Sequence, residues 1–178
     1  LAAAVSESPA TRQVIDWLGA LNAALESRDV AGAAALFEDD AFWRDLVAFT
    51  WNIKTLEGRD AIRVMLAAQL GATQPRNWQI TGEATQADGI TEAWFTFETG
   101  VARGLGQVRL RGERCWTLLT TMTELIGHEE RTGERRVTGA EHGAQRGRLT
   151  WLERKQKEEA ELGYARQPYV LIVGGGQG

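Results

Sequence analysis

Apolar residues fall at helical spacing in three stretches of the chain and alternate with polar ones in most of the rest. Over 11–28, Val14, Leu18, Leu21 and Leu25 form one stripe flanked by Ile15 and Trp17, which predicts a helix with a single buried face. Asp29 is placed to cap a second, short, alanine-rich helix over 30–37. The third stretch, 59–70, returns to helical spacing through Ile62, Met65, Leu66 and Leu70 and is expected to close at Gly71. Between the second and third helices, 40–57 is dense in Trp, Phe, Val, Thr and Ile. That composition suits a pair of strands, broken at Gly58.

From 77 to 126 the pattern predicts four strands: 77–86, 90–99, 105–111 and 114–126. Asp88-Gly89 is a hairpin dipeptide between the first two, and Arg111-Gly112-Glu113 turns the third into the fourth. Within 90–99, Ala93, Phe95 and Phe97 share one face while Glu92, Trp94 and Thr96 share the other. The order α-α-β-β-α-β-β-β-β implies an α+β domain over 12–126, with three helices packed on one face of a curved antiparallel sheet.

The remainder differs in character. Residues 127–149 are rich in Gly and Arg and lack periodicity, so 127–166 is expected to be an extended linker carrying one helix over 150–162. Thr150 and Glu153 have the spacing of a capping box, Glu153 and Lys157 that of a favourable ion pair, and Gly163 suits the stop. Over 167–178, an apolar segment at 169–173 runs into Gly174-Gly175-Gly176-Gln177-Gly178. A short strand entering a glycine-rich turn is how a phosphate-binding βαβ unit begins, with Gly174 and Gly176 in the first two positions of G-x-G-x-x-G.

Composition narrows the function classes. A net charge of −4 gives no electrostatic reason to expect nucleic-acid binding. No apolar run approaches the ~20 residues that span a membrane, and none is expected to. The single cysteine, Cys115, excludes an internal disulfide and fits a cytoplasmic protein; it and two histidines leave little for a zinc site.

Asp45 is the candidate catalytic group. It lies on the first predicted strand beside Trp43, with Trp51 near in sequence. A carboxylate desolvated among indoles would be suited to proton abstraction. The competing reading is a strand-end Asp that faces solvent or pairs with Arg44 or Arg59. Trp43, Trp51, Trp94 and Trp116, with Trp78, stand on predicted strands and are candidates for a small-molecule substrate pocket or, alternatively, for an aromatic core.

The element order resembles the nuclear-transport-factor-2-like (SnoaL-like, cystatin-like) cone shared with ketosteroid isomerases, scytalone dehydratases and polyketide cyclases. The oxyanion-donating tyrosine often found in ketosteroid isomerases has no evident counterpart, since Tyr164 and Tyr169 lie outside the cone. The stretch from Phe42 to Gly58, FWRDLVAFTWNIKTLEG, resembles the N-terminal region of a subset of flavin-containing monooxygenases. So do Trp116-Thr117-Leu118-Leu119-Thr120-Thr121, Glu141-His142-Gly143 and Thr150-Trp151-Leu152-Glu153-Arg154. That resemblance implies an accessory N-terminal domain and linker cut off at the start of an FAD-binding domain. In the intact parent, Gly174, Gly175, Gly176, Gln177 and Gly178 would line the FAD pyrophosphate and NADP(H) would reduce the flavin. The fragment itself would bind neither cofactor and have no redox activity. The alternatives are a free-standing cone domain that binds small molecules or acts as an isomerase or cyclase, and a homodimerisation module pairing through the sheet.

Overall fold

The computed structural model describes residues 8–136, 139 and 147–166, and the chain divides into two compact units, Leu1–Thr132 and Gly133–Gly178. The segments expected to form the strand at 169–173 and the glycine-rich turn lie outside the described residues, as does the Glu141-His142-Gly143 linker piece.

The first unit opens with helix α1, Pro9–Glu26. It starts two residues before the expected 11, because Ser8 caps it by accepting from Thr11 N and Pro9 sits where a missing N–H costs nothing. Asp29 caps α2, Val30–Ala35, through Gly32 N. Strand β1, Phe37–Leu46, and β2, Ile53–Glu57, form the expected pair. Helix α3, Arg59–Thr73, runs through Gly71 and ends at Gln74, in the left-handed region at φ 47°. Its last turn is held by a tertiary bond, Gly100 N to Thr73 O, which overrides the weak local stop at Gly71. Four strands follow: β3, Arg76–Ala87; β4, Ile90–Glu98; β5, Ala102–Arg111; and β6, Arg114–Leu125.

These strands form one six-stranded sheet in the order β2-β1-β6-β5-β4-β3. The expectation of a purely antiparallel sheet needs one correction: β1 and β6 are parallel, and the other neighbours are antiparallel. The meander β3 to β6 returns its last strand alongside β1, and no hairpin constrains that pairing to be antiparallel.

The helices cover one face. Val14, Trp17, Leu18, Leu21 and Leu25 of α1 and Ile62, Met65, Leu66 and Leu70 of α3 join the inward residues of the strands in one buried cluster. Its centre is aromatic. Ring contacts run unbroken from Trp17 through Phe37, Trp43 and Phe49 to Trp78, Phe95 and Phe97, with centroids 4.9–6.3 Å apart. Edge-on and offset contacts of this kind add to the area the rings bury.

In the second unit, α4 spans Trp151–Glu161 and Thr150 and Glu153 make the expected capping box. The Glu153 carboxylate turns back to Thr150 N and Oγ1, so the ion pair on this helix is Lys155–Glu159 rather than Glu153–Lys157. The bonds from Thr150 hold the Glu153 carboxyl below its ordinary range.

Candidate functional site

Asp45 is fully buried, and its carboxylate is surrounded by donors. Phe49 N reaches both oxygens, at 3.0 and 3.2 Å; Thr50 N and Thr50 Oγ1 each donate to Oδ2 at 2.8 Å; Thr120 Oγ1 donates to Oδ1 at 2.9 Å. Thr120 is itself buried and accepts from Trp43 Nε1 at 2.8 Å. The order Trp43 N–H, Thr120 O–H, Asp45 carboxylate is therefore a closed relay, each acceptor served by a specific donor.

Sequence spacing explains how the parts meet. Trp43 and Asp45 are two apart on β1 and point the same way, inward. Asp45 and Thr120 are register partners on the parallel strands β1 and β6. The loop from Val47 to Asn52 then folds over the carboxylate. Val47 and Trp51 both sit in the left-handed region, at φ 58° and 52°, a conformation that costs a β-branched or bulky residue on the order of 1–3 kcal/mol. The hydrogen bonds to Asp45, together with Thr50 Oγ1 to Asn52 O, hold the loop there.

The reading of Asp45 as a strand-end residue facing solvent or paired with Arg44 or Arg59 does not describe this arrangement. The residue does not face solvent. Arg44 donates instead to Thr55 Oγ1, and Arg59 reaches Phe37 O and Asp39. As a base it would need an oxygen directed at a substrate proton, and both oxygens are occupied by loop and strand donors.

The five indoles do not share one cavity. Trp43 and Trp78 are buried among the interior rings. Trp94, 45% exposed, lies on the opposite face of β4 from Phe95 and Phe97. Trp116 is also outside the core, with the Arg111 guanidinium 4.6 Å and that of Arg109 5.9 Å from its ring centroid. Trp51, 60% exposed, stands on the strained loop. The alternation on 90–99 already separated Trp94 from Phe95, whereas no local signal placed Trp51.

Sequence reasoning named the sheet as a possible pairing surface without singling out the residues of its outer face. Here Phe42 of β1, Leu105 of β5, Leu119 of β6 and Trp94 of β4 lie among Thr96, Gln107, Thr117 and Thr121, on the face opposite the one that α1 and α3 cover. Arg44 of β1 stands beside Leu119 and bonds Thr55 Oγ1, and ion pairs sit toward the margins: Arg109–Glu92, Arg103–Glu124 and Arg111–Asp40. A hollow of about 470 Å³ lies toward one end, with Gln79, Thr96, Leu105 and Thr123 in its wall. Cys115 is fully enclosed in the core, where burial pushes its thiol well above the ordinary value. Among the described residues no group of three or more His, Cys, Asp or Glu could hold a metal, and no helix is long and apolar enough to cross a membrane.

No family model matches the chain, and no curated protein matches it. Solved structures do. A ketosteroid isomerase-like protein from Erwinia carotovora atroseptica aligns over 66% of this chain and 98% of its own, at 13% identity and a TM-score of 0.54. An uncharacterized protein with a cystatin-like fold from Caulobacter vibrioides aligns over 66% and 92%, at 18% identity and a TM-score of 0.55. A domain of unknown function with a cystatin-like fold from Nostoc punctiforme covers 67% of this chain and 82% of its own, at 14% identity and a TM-score of 0.54. At these identities the likeness is one of fold, and the chain carries the α+β cystatin-like, nuclear-transport-factor-2-like fold.

Proposed function

We propose that the cone is a non-catalytic assembly domain that pairs with a second copy through the outer face of its sheet. The observation that carries this reading is the distribution of side chains on that face: apolar Trp94, Leu105 and Leu119 among uncharged polar residues, bordered on the β1 side by Arg44 and elsewhere by ion pairs. That is the anatomy of a protein interface, apolar at the core and polar at the rim. The occupant is a second copy because three of the marginal arginines, Arg103, Arg109 and Arg111, are already paired with carboxylates of their own chain. A two-fold pairing lays a patch on itself, and a patch of one sign would repel its copy.

The filled interior supports the same reading. Aromatic rings occupy the space between helices and sheet, and the Asp45 carboxylate holds a loop. Sedimentation velocity on the 178-residue chain tests the proposal. A dimer that becomes a monomer in Trp94→Glu/Leu119→Arg, with unchanged circular dichroism, is expected. A monomeric parent, or a variant that remains dimeric, overturns it.

The longer protein that such a domain would serve is, in our reading, an FAD- and NADP(H)-dependent monooxygenase. What supports this is the likeness of the 42–58 and 116–121 stretches and the glycine-rich segment at 174–178. A reading frame continuing into a full dinucleotide-binding region, whose product purifies yellow and oxidises NADPH, is the expected finding. A stop codon after Gly178 would remove this part of the proposal and leave the assembly domain.

A further inference from the structure

We propose that the free edge of β2 and the adjoining flank of α3 form a groove that binds an extended peptide as an added strand. Among the described residues β2 ends the sheet and has β1 as its only neighbour. Val47 N donates to Asn52 O and Gly58 N to Ala41 O. These fix the hydrogen-bonded pairs of the β1–β2 ladder at alternate residues, so the N–H and C=O groups of Thr55 and Glu57 point away from β1. Those groups form the row that a further strand requires.

The two edges of the sheet are not equivalent. β3, at the far side, breaks register twice and has Asn77 and Gly82 at positive φ, irregularities that spoil an edge for pairing. β2 keeps an unbroken register over all five residues.

Beside this edge lies a hollow of about 750 Å³ between β2 and α3. Leu56, Ala61, Val64, Met65 and Ala68 supply its apolar wall, and Val64 is 59% exposed. Asp60 and Glu57 lie at one end; Lys54 stands further along β2, with no ion-pair partner among the described residues. Trp51 projects from the loop whose Thr50 and Asn52 close the other end.

The occupant must bring its own apolar side chain. A second copy docking by its own β2 could offer only Lys54 and Leu56 on that face, and Leu56 is buried in its own core. A separate peptide running antiparallel to β2 would place a basic residue near Asp60, an apolar one over Val64, and an acidic one near Lys54.

A phage-displayed library of linear heptapeptides, panned on the full chain, tests this. Thr55→Pro removes an edge N–H that bonds nothing in the sheet, at a position where an edge tolerates proline, and Val64→Glu puts a charge in the groove. Enriched peptides should follow the basic–apolar–acidic order and slow amide exchange at Thr55 and Glu57. Their affinity should fall about tenfold in either variant, as expected for losing a main-chain bond or an apolar contact. Three outcomes overturn the proposal: no enrichment over Thr55→Pro/Val64→Glu, peptides that bind Thr55→Pro undiminished, or self-association of the chain that Val64→Glu abolishes.

Discussion

The ring of Phe95 lies directly across Gly106 of the neighbouring strand. The two are register partners on β4 and β5, and a methyl group at Gly106 would overlap the ring and stand 2.5 Å from the carbonyl oxygen of Leu119. Phe97 covers Gly104 in the same way one pair along. The two glycines let both rings lie flat on the sheet and leave room for Trp78 and Phe49 above them.

Gly106→Ala should therefore destabilise the cone by about 1–3 kcal/mol, the range for overpacking a filled core. Gly104→Ala should cost less, because the three atoms nearest its methyl all belong to the Phe97 ring, whereas at Gly106 the Leu119 carbonyl oxygen is among them. Urea unfolding of both variants would check the order, and a cost at Gly106 no greater than that at Gly104 would contradict it.

Asp45 supplies the second expectation. Asp45→Ala leaves Phe49 N, Thr50 N and Thr120 Oγ1 without their acceptor inside the protein, at about 1–3 kcal/mol for each buried group left unsatisfied. Asp45→Asn should also destabilise, since its NH₂ would face donors. Thr120→Val removes both of that hydroxyl's bonds, leaving Trp43 Nε1 without its acceptor and Asp45 Oδ1 without one donor, and should cost about 1–3 kcal/mol. A catalytic base would give the reverse pattern, an Asn variant as stable as the parent.

These sites show what the sequence disclosed. Alternation at 92–97 gave the faces of β4 correctly, Asp88-Gly89 placed a turn, and Thr150 with Glu153 placed a helix start. Such features are written within a few residues of one another. The relay from Trp43 through Thr120 to Asp45 joins positions 75 and 77 apart, and it exists because β6 returns parallel to β1. Periodicity is blind to that pairing. The same holds for Gly104 and Gly106, which read as weak points in a strand until the facing rings are known.

Cys115 supplies a pH-dependent expectation. Burial pushes its thiol pKa well above the ordinary value, so the folded state holds the proton that the unfolded chain releases. Stability from this group is complete below the unfolded thiol pKa and declines as pH rises through and beyond it. The native thiol should resist a disulfide reagent at pH 8 and react fully in denaturant, about where a free thiol begins to ionise. A Cys115→Ala variant should lose less stability than the parent between pH 8 and 10. Rapid labelling of the native protein would show that the core opens at this position.

The last expectation concerns salt and the proposed pairing of sheet faces. Arg109 bonds Glu92 at 3.0 Å and Arg103 bonds Glu124 at 3.1 Å within one chain. These arginines thus enter a dimer already paired within their own chain, and the proposed pairing draws no attraction between copies from them. Dimer dissociation should change little between 0.05 and 0.5 M salt, concentrations at which the screening length of about 10 Å at 0.1 M shortens appreciably. Arg109→Glu breaks that pairing. It sets a second carboxylate beside Glu92 and removes a cation over the Trp116 ring, so two such faces would repel. The variant should associate more weakly at low salt and partly recover at high salt, because screening weakens like-charge repulsion. Sedimentation equilibrium across the salt series measures both behaviours. A parent dimer that dissociates steeply with salt would mean that ion pairs between copies hold the assembly together, with the apolar centre around Trp94 and Leu119 contributing little.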